Sequence, residues 1–174
     1  MTTTVLTVRA TECAPAMLLR PWEAADLEAL VNTYRDPLLR RFTMTNVESR
    51  EDAERWLEIR RRGWKDGTYL SFAVLEKDET VDGRLVGNVV VKRPGPGPAA
   101  AEVGYWTCAT ARGRGVAPRA LEAVTAWAVD AFTDDGLERL ELLHQVDNPA
   151  SCRVAEKCGY AFEATLPACP PVSA

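Results

Sequence analysis

One stretch of the chain constrains the fold more than any other, because an apolar strand, a glycine-bearing turn and a long helix follow one another in it. The strand begins near Glu102, the turn contains Gly113 and Gly115, and the helix covers about 117–132. Glycine allows the backbone to curl so that successive N–H groups point into one concavity, and the dipole of the following helix favours negative charge there. The stretch therefore predicts an anion-binding cradle at residues 113–117.

The Gly-x-Gly sequence of this turn can also be interpreted in other ways. A Gly-x-Gly pair is also typical of a tight strand-to-helix connection that binds nothing. A dinucleotide-binding fingerprint needs a third glycine where Pro118 stands, and a P-loop needs a Gly-Lys-Ser or Gly-Lys-Thr sequence that the chain lacks. Pro118 itself suits the first turn of a helix, where the N–H that proline lacks would have no intrahelical partner.

Length and charge narrow the class of protein. A chain of 174 residues is long enough for one domain with its own core, which we place at 17–166, after an N-terminal tail or edge strand (1–16) and before a proline-rich tail (167–174). The formal net charge of −4 argues against a nucleic-acid partner. No apolar run is long enough to span a bilayer, and no signal peptide is evident, so we expect a cytoplasmic protein without a membrane partner.

Cysteine and histidine usage argues against a metal centre. The five cysteines have scattered spacings without a Cys-x-x-Cys pair, and His144 is the single histidine. A zinc site needs several such ligands, usually at short and regular spacings. We therefore expect no metal, and cysteines that are reduced and mostly buried.

The rest of the chain alternates between strand and helix patterns. Extended apolar runs predict strands near 17–20, 70–75, 85–91, 140–146 and 161–166, in addition to the strand at Glu102. Helical spacing predicts helices near 24–34, 50–66, 117–132 and 148–158, whereas residues 38–47 suit a loop or a short helix. This order predicts an α/β (α+β) single domain with a mixed, mostly antiparallel sheet and flanking helices, in which one helix crosses over between two parallel strands.

The turn and several other segments resemble the general N-acetyltransferase (GNAT) superfamily. Arg112-x-x-Gly115-x-Ala117 is similar to the acyl-CoA pyrophosphate loop of that superfamily. Within it the chain looks like the Rim-type branch, the ribosomal-protein alanine N-acetyltransferases, in segments 18–22, 72–74, 102–106, 147–151 and 153–160. The resemblance implies a sheet whose central parallel pair splays apart, and an enzyme that transfers an acetyl group from acetyl-CoA to a primary amine.

The resemblance also assigns residues to the co-substrate, acetyl-CoA. The backbone groups expected to pair with its pantetheine arm belong to Trp106, Thr107 and Cys108. The pyrophosphate is expected on Arg112, Gly113, Arg114, Gly115, Val116 and Ala117, and the pantetheine arm is expected to reach Asn148 and Ser151. Asn148 has a second reading, because Asn-Pro is by itself a complete N-terminal cap signal for a helix.

Three residues are candidates for catalysis. By resemblance, Glu102 is the general base, acting through an ordered water, and its plain alternative is an exposed carboxylate at a strand end. His144 is a second candidate base, although a lone histidine near a strand end is more often a hydrogen-bonded structural residue. Many superfamily members protonate the leaving thiolate with a tyrosine where this chain has Ala155. Ser151 is expected to take that role, unless a thiolate of pKa about 8.5 leaves unassisted.

The acceptor is expected to be an amine, either the α-amine of a protein N-terminus or that of a small molecule. The candidates for its pocket are Phe42, Met44, Trp64 and Trp106, and each can equally belong to the core. A catalytically silent, acyl-CoA-binding regulatory module is the alternative function. The 167–174 segment stands where the family pairs a final strand, so a homodimer is one way to complete the edge of the sheet.

Overall fold

Six strands form one sheet in the computed structural model, which describes residues 4–43, 45–77, 83–93 and 99–167. The strands are Leu6–Val8 (β1), Met17–Pro21 (β2), Tyr69–Glu76 (β3), Arg84–Lys92 (β4), Ala100–Thr107 (β5) and Arg139–Leu142 (β6). The α-helices within these ranges are Leu27–Thr33 (α1), Pro37–Phe42 (α2), Arg50–Asp66 (α3), Val116–Phe132 (α4) and Pro149–Lys157 (α5). Short 3-10 turns at Ala24–Asp26 and Ala109–Ala111 precede α1 and α4.

The strands lie side by side in chain order. Neighbours from β1 to β5 are antiparallel, whereas β5 and β6 are parallel because α4 carries the chain back across the sheet between them. The parallel pairing joins Ala100–Val103 to Arg139–Leu142 and then stops, while β5 continues to Thr107. The predicted fold class is therefore confirmed, but the splayed parallel pair, expected at the centre of the sheet, lies at one edge of the described sheet.

Strand alternation divides the core between the two faces of the sheet. On one face, Val103 belongs to a buried cluster with Leu121 and Val124 of α4. On the other face, Trp106 packs against a cluster under α1 and α3 that contains Trp22. Successive side chains of a strand point to opposite faces, which explains why neighbouring parts of β5 serve both clusters.

Local signals explain why α3 and α5 begin where they do. Ser49 Oγ accepts a hydrogen bond from the Asp52 N–H at 3.1 Å, and the Asp52 carboxylate accepts one from the Ser49 N–H at 2.9 Å, which is a capping box. Asn148 Oδ1 accepts a hydrogen bond from the Ser151 N–H at 3.3 Å, and Pro149 follows at the first helical position. Asn148 is therefore a helix cap, as one of its two predicted roles requires.

Strand predictions differ from the structure at the end of the chain. The strand predicted near 140–146 ends at Leu142, and the predicted strand at 161–166 is wrong, because no strand forms there. Phe162 is 84% exposed and Leu166 is 62% exposed, so this segment buries too little apolar surface to fix an extended conformation. The helix predicted near 24–34 is also divided, with a 3-10 turn before α1.

Some features named in the sequence analysis lie outside the described residues: Met44, and residues 168–174 of the proline-rich tail, which include Cys169. The described cysteines, which are Cys13, Cys108, Cys152 and Cys158, are free thiols, and Cys13 is exposed. In the part of the chain that the structure describes, no helix has both the length and the apolar character that crossing a membrane requires.

Three buried polar side chains, those of Trp22, Ser71 and Asn88, are joined by hydrogen bonds beside the cluster that packs under α1 and α3. We call this group the polar junction, and it yields a stability prediction. Asn88 Oδ1 accepts hydrogen bonds from Trp22 Nε1 at 2.9 Å and from Ser71 Oγ at 2.7 Å, and Asn88 is 5% exposed. The substitution Asn88→Leu leaves two buried donors unpaired, so we expect the free energy of unfolding to fall by about 2–4 kcal/mol. Urea denaturation measures this. Ser71→Ala keeps the tryptophan bond and should cost about 1 kcal/mol. An Asn88→Leu protein as stable as the parent would contradict the junction's role.

Candidate active site

A cleft of about 360 Å³ opens where β5 extends beyond the end of β6, and the first turns of α4 and α5 form further walls. Most residues predicted to contact acetyl-CoA or the acceptor line it: Phe42, Trp106, Thr107, Arg112, Gly113, Gly115, Val116, Ala117, His144, Asn148 and Ser151. Among the predicted residues that the structure describes, Glu102, Trp64, Cys108 and Arg114 are not part of its lining. The structure therefore brings the turn, the strand edge and the start of α5 to one place.

The glycine turn leaves its backbone open. Gly113 and Gly115 have φ angles of 74° and 76°, in the left-handed region that residues with a side chain rarely adopt. A Cβ atom at Gly113 would meet no heavy atom within 4 Å, and one at Gly115 would approach only the Arg119 side chain, at 4.0 Å. Gly115 caps α4 without a side-chain hydrogen bond, so the first N–H groups of the helix lack intrahelical partners. These residues fit a phosphate group, which can approach the bare backbone.

β5 provides a second set of open backbone groups. Its pairing with β6 ends at Val103, and residues 104–107 pair only with β4. An extended strand edge of this kind binds another extended chain through its N–H and C=O groups. Trp106 and Thr107, the predicted contacts of the pantetheine arm, lie in this stretch. The edge therefore fits an amide-bearing arm in the same way as the turn fits a phosphate.

Ion pairs hold the turn against the rest of the domain. Arg112 pairs with Asp36, which lies between α1 and α2. Arg114 contacts Glu76 at the end of β3 at 2.6 Å, and Arg84 contacts the same carboxylate at 2.5 Å. Burial alone would raise the pKa of Glu76, but hydrogen bonds from the two arginines hold that pKa below its ordinary value. Arg114 therefore anchors the turn with its side chain and does not line the cleft.

Glu102 lies in a row of charged residues next to the cleft. Its carboxylate accepts a hydrogen bond from Lys92 Nζ on β4 at 2.5 Å, and Glu141 of β6 is its neighbour on the other side. Gly104, two residues further on the same face of β5, lines the cleft without a side chain. The rise of a strand puts about 7 Å between the two Cα atoms. The role of Glu102 as a base stays a prediction.

Ser151 and Tyr105 form a hydroxyl pair in the wall of the cleft. Ser151 is 8% exposed, and its Oγ lies 2.9 Å from the Tyr105 hydroxyl oxygen. Burial raises the pKa of Tyr105, so the phenol stays protonated at neutral pH. Tyr105 was not predicted as a site residue. The available signal was strand alternation, which puts it on the face opposite Trp106, where α5 packs.

His144 and Trp64 have different surroundings. His144 is exposed and lies beyond the end of β6, and its Nδ1 is 2.9 Å from the Gln145 carbonyl oxygen. Trp64 packs against Phe72 in the core, with ring centroids 5.0 Å apart, and its Nε1 donates to the Ser71 carbonyl at 2.9 Å. His144 therefore lines the cleft from the solvent side, whereas Trp64 has the contacts of a core residue.

Aromatic side chains contribute to another wall of the cleft. The Trp106 ring centroid lies 5.9 Å from that of Trp22 and 6.0 Å from that of Tyr34, which fixes the indole in place. Phe42, the last residue of α2, lines the same cleft. An apolar wall beside a few polar groups is typical of a site for a small organic group.

Comparison with known proteins identifies the family to which this fold and cleft belong. The profile of the acetyltransferase (GNAT) domain matches residues 16–161. This match covers most of the chain, so the chain belongs to the GNAT acetyltransferase family. The ribosomal-protein-serine acetyltransferase of Escherichia coli (strain K12) is 29% identical over 121 residues, which are 69% of this chain and 63% of that protein. The chain thus spans less than two thirds of the length of this curated relative.

Solved structures share the fold. The ribosomal-protein-S5-alanine acetyltransferase from Vibrio fischeri has a TM-score of 0.71 at 19% identity, with 91% of this chain and 82% of that chain covered. The ribosomal L7/L12 alpha-N-protein acetyltransferase RimL, in complex with coenzyme A, has a TM-score of 0.72 at 19% identity, with 87% and 82% covered. At these identities the likeness establishes the architecture alone.

The ion pairs of Arg84 and Arg114 with Glu76, which we call the arginine clamp, predict a pH-dependent contribution to stability. Because the pKa of Glu76 is lowered in the folded protein, its contribution is fully present above the unfolded value of about 4.3 and is lost as the pH falls through the lowered value. We expect Glu76→Gln to destabilise the protein by about 2 kcal/mol at pH 7, and this difference to shrink steadily below pH 4. Urea denaturation from pH 7 to pH 2.5 measures it, with the exposed Glu58→Gln as the control. A difference that does not change with pH would contradict the clamp.

Proposed function

We propose that this protein transfers the acetyl group of acetyl-CoA to a primary amine, with the α-amine of a protein N-terminus as the preferred acceptor. The observation that carries the proposal is the convergence of the open edge of β5 and the glycine turn before α4 in one cleft. A strand edge suits the extended, amide-bearing arm of coenzyme A, and a helix N-terminus suits its pyrophosphate. The coenzyme A complex of a protein with the same fold supports the co-substrate, and the name of the curated relative supports the acceptor class.

We assign the parts of the co-substrate to residues of the cleft. The N–H groups of the turn at 113–117 would hold the pyrophosphate, and the backbone of Trp106 and Thr107 would hold the pantetheine arm. Asn148 uses Oδ1 to cap α5, which leaves its Nδ2 group to donate to the same arm. Arg112 is paired with Asp36, so its contribution is to position the turn.

Acyl transfer to an amine needs a neutral nucleophile, a polarised carbonyl group and a proton for the leaving sulfur. An α-amine with a pKa of about 7.7–8.0 is partly neutral at pH 7, whereas a lysine with a pKa of about 10.4 is almost wholly charged. We assign removal of the ammonium proton to Glu102 through a bridging water, and polarisation of the carbonyl group to a backbone N–H of Trp106 or Thr107. Ser151 is assigned to the leaving sulfur. Acetyl-CoA supplies the activated acyl group when it is bound.

The acceptor would approach along the wall formed by Phe42 and Trp106. Arg41 and Asp147 form an ion pair at 2.6 Å that joins the end of α2 to the turn before α5. The acceptor would therefore pass charged side chains as well as aromatic ones. We further propose that the protein acts in the cytoplasm, a compartment in which exposed thiols such as Cys13 remain reduced.

A screen of acceptors with acetyl-CoA, read by released thiol, tests the proposal. The panel contains peptides with a free N-terminal serine or alanine, the same peptides with a blocked N-terminus and an internal lysine, and small amines. We expect turnover with the free α-amine peptides and little with the blocked ones. Binding of coenzyme A without turnover of any amine would favour the acyl-CoA-binding regulatory module instead. Absence of coenzyme A binding would reject both functions.

The glycine turn gives a prediction for coenzyme A binding. Gly115→Val places a branched side chain where the backbone must approach a phosphate, so we expect the Kd measured by calorimetry to rise at least about tenfold, or about 1.4 kcal/mol. Gly136→Val is the matched control, because Gly136 has a φ of 87° and open space around its Cα, but it does not line the cleft. Unchanged affinity in a folded Gly115→Val protein would mean that the turn at 113–117 does not bind the pyrophosphate of coenzyme A.

The proposed base gives a prediction for the rate. Glu102→Gln keeps the shape of the side chain but cannot take a proton, so we expect kcat to fall by about 10²–10⁴-fold near pH 7 with unchanged coenzyme A affinity. Raising the pH should partly restore the rate, because the amine then arrives neutral. Glu141→Gln, at the next position in the same row of charges, should have little effect. Parental kcat/KM values for Glu102→Gln from pH 6 to pH 9 would move the role to His144 or to an unassisted amine.

A further inference from the structure

A phenol stands directly behind the serine that we expect beside the leaving sulfur. The hydroxyl oxygens of Tyr105 and Ser151 lie 2.9 Å apart, and both residues line the cleft. They belong to different elements, β5 and α5, so the tertiary fold creates this contact. Ser151 is fixed further by the helix cap, since its N–H donates to Asn148. Either hydroxyl of the pair can be the donor, and a phenol is the better donor of the two.

The chemistry of the leaving group gives this contact a purpose. An aliphatic hydroxyl is a weaker acid than a phenol or a thiol, so an alkoxide left on Ser151 would be less stable than the thiolate that it had protonated. A phenol has a pKa of about 10, close to the value of about 8.5 for a thiol. A neighbouring phenol that restores the serine proton during the transfer therefore makes Ser151 an effective acid.

We propose that Tyr105 supplies this proton, as a positioning residue that acts on the leaving sulfur through Ser151, an inference that rests on the proposed function. As the C–N bond forms and the C–S bond breaks, the electron pair of the C–S bond goes to sulfur. Sulfur takes the hydroxyl proton of Ser151, and Ser151 Oγ takes the proton of Tyr105. The phenolate then regains a proton from the solvent in the open cleft, while Glu102 releases to the solvent the proton that it took from the amine. The products are the amide and a free thiol.

The surroundings of Tyr105 keep this proton in place between turnovers. Burial raises the pKa of the phenol above its ordinary value, the hydrogen bond with Ser151 acts in the opposite direction, and the thiols of Cys158 and Cys152 add to the increase. The phenol is therefore protonated throughout the pH range in which the amine reacts. A second pair in the same domain offers a comparison, because Tyr160 and Thr125 have hydroxyl oxygens 2.6 Å apart but do not line the cleft.

Steady-state kinetics of matched variants test the proposal. We expect Tyr105→Phe to lower kcat by about 10–100-fold, with KM for acetyl-CoA and for the peptide within about twofold of the parental values. Ser151→Ala should lose at least as much, and the double variant no more than Ser151→Ala, because the two residues act in series. Tyr160→Phe removes a partly buried phenol hydroxyl outside the cleft and should leave kcat unchanged.

A titration provides a readout that does not depend on activity. The ultraviolet absorbance difference between the parent and Tyr105→Phe isolates the ionisation of this phenol, whose midpoint should lie above pH 10. In the Ser151→Ala background the midpoint should rise further, because the hydrogen bond that lowers it is gone.

Three results would each overturn the inference: a Tyr105→Phe enzyme with parental kcat, a double variant whose losses multiply, or a Tyr105 midpoint that Ser151→Ala does not move. A parent protein that binds coenzyme A but turns over no amine would refute the proposed function itself, and the inference with it. The two failures are thus distinguished by the activity of the parent.

Discussion

The parting of β5 and β6 is the constraint on which the site depends. The two strands are paired only from Ala100 to Val103, and β5 then continues to Thr107 with one edge uncovered. Both strands lead, at their carboxyl ends, towards helices that begin at the same cleft, α4 after the glycine turn and α5 after the Asn148 cap. The separation of β5 and β6 therefore brings an open strand edge, the N-terminus of α4 and a buried serine to the same cleft. Pairing continued to the end of β5 would cover that edge.

The domain tolerates this opening because the other sides of β5 are held firmly. β4 pairs with the strand along its opposite edge, Val103 is buried on the face of α4, and Trp106 packs among aromatic rings on the other face. Two interactions hold the turn in place: the ion pair of Arg112 with Asp36, and the arginine clamp on Glu76 at the end of β3. The unpaired backbone groups thus stand on rigid elements, so less conformational entropy is lost when they bind a ligand.

Features that depend on neighbouring residues in the sequence could be predicted. Features that depend on contacts between residues far apart in the sequence could not. The alternation of β5, the start of α5 and the glycine turn follow from neighbouring residues, and they lie where they were expected. Whether 161–166 forms a strand depends on a neighbour that covers its apolar side chains, which periodicity does not specify. The contacts of Arg114 with Glu76 and of Tyr105 with Ser151 join different elements. They emerge only when the sheet and its helices are packed together.

We propose that coenzyme A lies along residues 104–107 of β5 and on the turn at 113–117. Amide hydrogen exchange, measured residue by residue with and without saturating coenzyme A, tests it most directly. We expect slower exchange in both segments, because a bound ligand excludes water from their N–H groups, and unchanged exchange in β1 on the far edge of the sheet. Protection confined to other parts of the chain, or no protection at all, would contradict it.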